Sequence, residues 1–476
     1  MATPTWAGTR MGGCTGADLR SALNHDTDGG ALMPGLESTI DMFDLRMSDE
    51  AKPLFEAVTR FIADEVEPHT AEFFRLGENR EQHWGYGDGQ LELLDSIKVK
   101  AREQGLWNFF LPDAETGEGL SNLDYAYIAT ELGKNPIASE CLNCSAPDTG
   151  NMEVLERVGT PEQKERWLEP LLNGEIRSAY AMTEPDVASS DAKQISCGAV
   201  LDGDEWVING EKFYISGVGD PRCTIMICML ETNPDGPPHK RQSQILVPTD
   251  AEGFEIIGPM HVFGKDDAPH GHMHIRFTDC RVPAENMLLG EGRGFEISQV
   301  RLGPGRIHHC MRSIGAAERA LDLMVKRGMS REAFGKPLAA LGKNTEVIAK
   351  SRIEIESMRR MVLTAAKAMD ELGNAEARVW VSAVKAMVPV RVCAIIDDAI
   401  QIHGAAGVSQ WTPLADMYAS QRTLRLADGP DEVHWHVVGR AELRSNEEEG
   451  GFEYDPKVAY YQTQQAGDAG GVFSGP

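Results

Sequence analysis

Apolar positions change their period twice along this chain. In the first stretch the spacing is helical. Ser48 is suited to cap a helix whose first turn carries Asp49 and Glu50, with Leu54, Val58, Phe61 and Ile62 on one stripe. Thr160 marks another start: Pro161 takes the first helical position, Gln163 completes a capping box, and Trp167, Leu168, Leu171 and Leu172 face inward before Asn173-Gly174. From Arg177 to about Pro283 the segments become short and alternating. Trp206-Val-Ile-Asn-Gly-Glu reads as a strand entering an Asn-Gly turn, followed by Phe213-Tyr-Ile. Thr224–Leu230, Gln244–Val247 and His274–Phe277 read as further strands. From about Gly294 the helical period returns. Ile348, Ile355, Val362 and Met369 recur every seven residues, with Met358, Ala365 and Leu372 three beyond the last three, a seam for antiparallel bundle packing. Val381, Val384, Val388, Val392, Ile395 and Ala399 stripe another helix, which Pro389 should kink or break.

These textures divide the 476 residues into an arm (1–42), a helical domain (43–176), a β domain (177–290), a helical bundle (291–444) and a tail (445–476). Composition is globular, 42% hydrophobic and 25% charged. The 73 acidic and 46 basic residues give a net charge of −27, which repels phosphate backbones and anionic lipid and argues against a nucleic-acid partner. No apolar run reads as membrane-spanning, and no secretory signal is expected at the N-terminus. Nine cysteines, an odd number in apolar contexts, point to free thiols and a cytoplasmic protein. Cys141 and Cys144 form a lone C-x-x-C, better read as two small apolar residues near a helix than as a zinc site. His270, His272 and His274 alternate along one strand face; without a carboxylate cluster they read as a polar loop entering an edge strand, and no metal is expected.

Common nucleotide and nucleophile signatures are missing. Gly290-x-Gly292-x-Gly294 lacks the dinucleotide-binding spacing, and neither a P-loop nor a G-x-S-x-G elbow occurs.

Four segments carry more information. They are Tyr180-Ala-Met-Thr-Glu-Pro-Asp-Val-Ala-Ser-Ser-Asp191, Asn209-Gly-Glu-Lys-Phe-Tyr-Ile-Ser216, Arg331-x-x-Phe334-Gly335-Lys336, and Gln401-Ile-His-Gly-Ala-Ala-Gly407 with Leu424-Arg-Leu-Ala-Asp-Gly-Pro-Asp-Glu-Val-His434. Together, and in this order, they resemble the acyl-CoA dehydrogenase family across about residues 43–444. The wording is most similar to the branch of family members 10 and 11. The resemblance implies an α+β fold: an N-terminal helical domain, a central β-barrel-like domain and a C-terminal four-helix bundle. It also implies FAD.

In that resemblance Tyr180, Met182 and Thr183 belong to the loop facing the flavin ring. Tyr214 matches an aromatic stacked near it, and Ser216 a hydroxyl beside the hydride-accepting nitrogen. From the residues alone, Tyr214 and Ser216 are an ordinary alternation with Tyr buried and Ser outward. Ser189 matches a residue at the flavin pyrophosphate and pantetheine channel; alone it is a turn residue. Arg331 and Phe334 match groups reaching the flavin of a neighbouring subunit, implying a homodimer or homotetramer; alone, Arg331 is a solvated helix-end charge. Gln401 and Gly404 match the segment along the adenylate half, though Gly404 alone is a helix C-cap. Gly429 and Asp431 match cofactor contacts, Gly429 a substrate contact as well. Arg306 matches a helix arginine near the ligand channel. The roles of His308 and His309 stay open, His309 as buried packing among them.

Asp428 matches the position where the family commonly carries a Glu base. From the residues alone it is a turn aspartate in Asp-Gly-Pro-Asp, with Asp431 and Glu432 as rival carboxylates. The resemblance implies α-proton removal from an acyl-CoA thioester, hydride loss from the next carbon, a 2,3-enoyl-CoA product and electron-transfer flavoprotein as acceptor. A dry pocket is expected to raise the pKa of the carboxyl. Asp is one methylene shorter than Glu; the resemblance implies Asp here both in the branch of family members 10 and 11 and in the related nitroalkane oxidase. An oxygen-reducing oxidase of the same fold, acting on an acyl-CoA or a nitroalkane, is the alternative, and a flavin-free interaction protein a third. Pro430 stands where a flavin-binding side chain often lies.

Overall fold

The computed structural model describes residues 42–111 and 117–448, so nearly all of the expected arm and tail lie outside the described residues. Five longer helices precede the sheet: α1 (Lys52–Phe61), α2 (Glu67–Gly77), α3 (Gln90–Glu103), α4 (Asn122–Leu132) and α5 (Asp148–Val158). Helix α1 begins only at Lys52, with Ala51 at the cap position. Ser48 instead donates to Asp124 on α4 (2.9 Å) while accepting from the Ala51 amide (3.2 Å), so it ties the entry loop to the next helix. The Thr160 capping box forms as expected, and Trp167, Leu168 and Leu171 behind it are buried.

Seven strands form one curled sheet: β1 (Arg177–Ala181), β2 (Gly198–Asp202), β3 (Glu205–Ser216), β4 (Cys223–Glu231), β5 (Gln242–Pro248), β6 (Phe254–Pro259) and β7 (His272–Pro283). The order is β1-β4-β2-β3-β7-β6, with β5 also on β4. Asn209-Gly210 is not a turn. Strand β3 runs through it, and the register against β7 shifts between Ile208 and Gly210. Gly210 sits at φ 138°, and a Cβ there would lie 2.8 Å from Cys197 Sγ, so the glycine serves close approach within the sheet. The β2–β3 turn falls instead at Gly203 (φ 68°). Nor is β7 an edge: it lies between β3 and β6.

The C-terminal part comprises α6 (Gly294–Ser330), a hairpin of β8 (Glu332–Ala333) and β9 (Lys336–Pro337), then α7 (Asn344–Glu376), α8 (Arg378–His403), α9 (Leu414–Thr423) and α10 (Asp431–Glu448). Helices α6, α7 and α10 pack around α8. The expected seam on α7 is buried at Ile355, Met358, Val362, Ala365 and Met369. Helix α8 continues through Pro389 rather than breaking there. It also corrects the expectation about apolar runs. Arg378–Val408 contains an 18-residue stretch apolar enough to cross a membrane, with mean hydropathy 1.8, yet 72% of that stretch is buried inside the protein. A helix packed on several sides must be apolar on several sides, which is the composition of a membrane span.

Candidate active site

The loop after β1 is fixed from below by one cation. Lys212 on β3 is fully buried and donates to the Met182 carbonyl (3.0 Å), the Met229 carbonyl (2.6 Å) and Glu184 Oε1 (2.7 Å). Glu184 also accepts from the Ser196 and Cys197 amides, both at 2.9 Å. Burial works against its ionised form, but Lys212 and these donors hold the carboxyl below its usual value. The Thr183 carbonyl accepts from the Phe213 amide at 3.0 Å, which registers the loop against β3. Ser189 plays the turn role, its hydroxyl accepting from the Glu184 amide at 2.8 Å.

Strand β3 then throws an aromatic outward. The register slips between Lys212 and Ile215, and Tyr214 sits in the left-handed region at φ 55°. Such a conformation is costly for a bulky residue and recurs at ligand sites. Tyr214 is 41% exposed, which overturns the simple alternation with Tyr buried. Two residues on, the Ser216 hydroxyl lies 2.8 Å from His272 Nδ1, and burial lowers the pKa of that imidazole. His274 pairs with Glu211 at 2.7 Å, and among the described residues no His, Cys, Asp and Glu group could hold a metal ion.

Tyr180 joins this loop to the bundle. Its hydroxyl lies 3.1 Å from Ser298 Oγ on α6 and accepts from Gln244 at 3.1 Å. The buried Arg301 guanidinium covers its ring at 3.8 Å from the centroid. Arg301 is also one of the cations that bear on Asp428.

Asp428 lies in the loop between α9 and α10, at φ 54°, with 18% of its side chain exposed. Its carbonyl accepts from Arg306 Nε (2.9 Å) and faces His434 Nε2 (3.2 Å). Its Oδ2 lies 3.3 Å from His309 Nε2. Gly305, one turn before His309 on α6, faces the carboxylate: a Cβ there would stand 3.6 Å from Oδ2, in ordinary van der Waals contact. The expected rise in pKa is corrected. Burial does push the carboxyl up, but the His309 donor and the charges of Arg301 and Arg306 outweigh it and hold the group well below the usual carboxylate range. Gly429 follows at φ 99°, and a Cβ there would lie 2.9 Å from His434 Nε2. Asp431 is buried with Oδ2 on Arg425 at 2.7 Å, closing the loop at the start of α10.

Acyl-CoA dehydrogenase family models match the chain in three consecutive parts: the N-terminal domain at 48–175, the middle domain at 179–280 and the C-terminal domain at 292–443. The chain belongs to the acyl-CoA dehydrogenase family. It is similar to the mouse acyl-CoA dehydrogenase family member 10, 49% identical over 404 residues that cover 84% of this chain but 37% of that relative's length. It is also similar to the probable acyl-CoA dehydrogenase FadE2 of Mycobacterium tuberculosis, 53% identical over 352 residues, 74% of this chain and 86% of that one. A solved structure of a putative acyl-CoA dehydrogenase from Mycobacterium abscessus superposes with a TM-score of 0.80 at 48% identity, covering 84% of this chain and 99% of the other.

Within this acyl-CoA dehydrogenase fold, the remaining expected residues lie apart from Asp428. Arg331 caps the far end of α6, about 39 Å along the helix from Gly305 at 1.5 Å per residue. Phe334 tops the β8–β9 hairpin at φ 52° and is 96% exposed. Gln401 and Gly404 are exposed at the end of α8, and a Cβ on Gly404 would meet nothing within 4 Å. The structure adds residues that the sequence reading left without a role: His309, Arg301, Gly305, Lys385 and His434. Lys385 had one legible signal, a lone lysine inside the apolar stripe of α8.

Proposed function

We propose that this protein is a flavin-dependent dehydrogenase of acyl-CoA thioesters, with Asp428 removing the α-proton. The observation carrying this reading is Asp428 itself. It is an ionised carboxylate, framed by Gly305 and His309 on α6, in a loop held through its backbone by Arg306 and His434. The residues fit the implied FAD: an outward aromatic at Tyr214, a hydroxyl at Ser216 and a fixed backbone run at Met182–Thr183 make a surface suited to a flat ring system. When bound, the flavin supplies the acceptor for the hydride leaving the β-carbon. Lys212 and Glu184 keep the Met182–Thr183 run in place, and the Asp428 amide is a donor available to a thioester oxygen. Arg331, Phe334, Gln401 and Gly404 serve the adenylate half of a neighbouring subunit's flavin in a homodimer or homotetramer. The near-total exposure of Phe334 supports that assignment. Electrons then pass to an electron-transfer flavoprotein, and we place the reaction in the cytoplasm within fatty acid β-oxidation.

Anaerobic mixing of the yellow protein with a panel of acyl-CoAs tests the reading. At least one acyl-CoA bleaches the flavin, and Asp428→Asn keeps the flavin but loses the bleaching. A variant that bleaches at the original rate removes Asp428 from the chemistry. The alternative is an oxidase of the same fold; hydrogen peroxide formed stoichiometrically in air without an added acceptor would select it.

A further inference from the structure

We propose that His309 is the positioning residue of the base, a single-tautomer imidazole that holds one carboxylate oxygen of Asp428 and leaves the other for the substrate's α-proton. The proposal rests on the reading of Asp428 as the base.

The tautomer follows from the donor inventory. Arg312 Nη2 lies 3.3 Å from His309 Nδ1, and a guanidinium nitrogen can only donate. Nδ1 is therefore the acceptor, and the ring proton sits on Nε2, 3.3 Å from Asp428 Oδ2. A second ring proton would face Arg312. Burial, with the Arg312 and Lys385 charges, favours the neutral ring against the pull of Asp428. Among the described residues Asp428 Oδ1 accepts no hydrogen bond, while the side chain keeps some exposure. One oxygen thus has the imidazole as its neighbour, and the other has no hydrogen-bond partner among the described residues.

A short side chain makes such a tether useful. Asp428 has one methylene fewer than Glu, and its backbone is already committed by φ 54° and by the donors on its carbonyl. The imidazole fixes the remaining torsion. In the step it serves, the Cα–H bond of the acyl group breaks, the proton goes to the other oxygen of Asp428, and the electron pair stays on the thioester as an enolate. The groups bearing on the carboxylate are His309, Arg301, Arg306 and Cys310 from α6, Lys385 from α8, His434 from α10 and Tyr180 from β1. The cations among them persist when His309 is replaced, so a loss of rate that glutamine restores reports on His309 itself.

The test uses the FAD-loaded full chain with 3-thiabutanoyl-, 3-thiaoctanoyl- and 3-thiahexadecanoyl-CoA. The sulfur occupies the β position and blocks hydride loss, so α-proton removal alone gives a long-wavelength charge-transfer band. The rate of band formation is followed from pH 5 to pH 9 in the original protein, His309→Ala, His309→Gln and Asp428→Asn, with flavin content and melting temperature as checks on folding. Glutamine keeps a donor near the Nε2 position. Because the carboxyl stays ionised across this interval, the expected result is a band that forms at least about tenfold more slowly in His309→Ala at every pH and near its original rate in His309→Gln. A rate unchanged in His309→Ala, or lowered equally in both variants, overturns the positioning role. A band that survives in Asp428→Asn overturns the base assignment and this proposal with it.

Discussion

Lys385 donates to the carbonyl of Gly429 at 3.3 Å and to that of Leu424, so one fully buried ammonium on α8 fastens the Asp428 loop on both sides. Replacing it with methionine removes two bonds but also an ion that burial disfavours. The two effects oppose each other, so Lys385→Met should change unfolding free energy by less than about 2 kcal/mol. The loop, however, loses its fastening. Hydrogen exchange at residues 425–429 should quicken, and flavin reduction by the best acyl-CoA should slow by about tenfold or more, because displacing a base by about 1 Å is costly in rate. A variant with normal exchange and normal rate would assign Lys385 to packing alone.

Gly429 offers a sharper cut at the same loop. Its φ of 99° suits glycine, and an added Cβ would meet His434 Nε2 at 2.9 Å. Gly429→Ala should lose most flavin reduction while keeping flavin absorbance, with stability lower by about 1–3 kcal/mol. Gly203→Ala is the matched control. It also has positive φ, at 68°, but meets nothing within 4 Å, so it should cost about 1 kcal/mol and leave the rate alone. Equal rates in the two variants would remove the His434 contact from the argument.

Much of the architecture was legible because period and burial are coupled. Five of the seven α7 seam positions and the whole α8 stripe are buried where their spacing put them, and the Thr160 box closes as written. The failures share a cause. Asn209-Gly210 has turn chemistry, but contact with Cys197 and pairing with β7 kept it in a strand. Asp428 was singled out by resemblance, but the direction of its pKa was expected the wrong way. That depends on His309, Arg301 and Arg306, which are distant in sequence and meet the carboxylate only when α6 packs beside the α9–α10 loop. Alternation also missed the outward Tyr214, since a bulge resets the face of every residue after it.

The Lys212–Glu184 pair should behave as a buried ion pair rather than a surface one. Both side chains are within 4% exposure or less. Lys212→Met leaves the Glu184 charge without its counter-ion and should cost about 3–5 kcal/mol. The double variant Lys212→Met/Glu184→Gln should recover a large part of that loss, since no charge is then stranded. Urea unfolding of the four proteins in the cycle measures the coupling. Additive losses would show that the two residues act separately, against the geometry.

Glu153 on α5 should make stability fall as pH rises. It is 2% exposed, its Oε2 has no hydrogen-bond partner among the described residues, and it borders a cavity of about 50 Å³ with Tyr125, Arg157 and His308. Burial pushes its pKa from 4.5 up to about 8, although Arg157 and Arg301 pull the other way. Below pH 4.5 the carboxyl is protonated in both folded and unfolded chains and contributes no slope. Between pH 4.5 and pH 8 the unfolded chain releases this proton first, so the folded state binds more protons and loses stability with rising pH. The loss approaches about 5 kcal/mol if the full displacement is realised, at ~1.4 kcal/mol per tenfold change in ionisation. Glu153→Gln keeps the shape without the titration. Urea unfolding at pH 5 and pH 8 should show the original protein losing several kcal/mol more than the variant over that interval. Parallel pH profiles would mean that water in the cavity solvates the ionised carboxylate and that burial does not govern it.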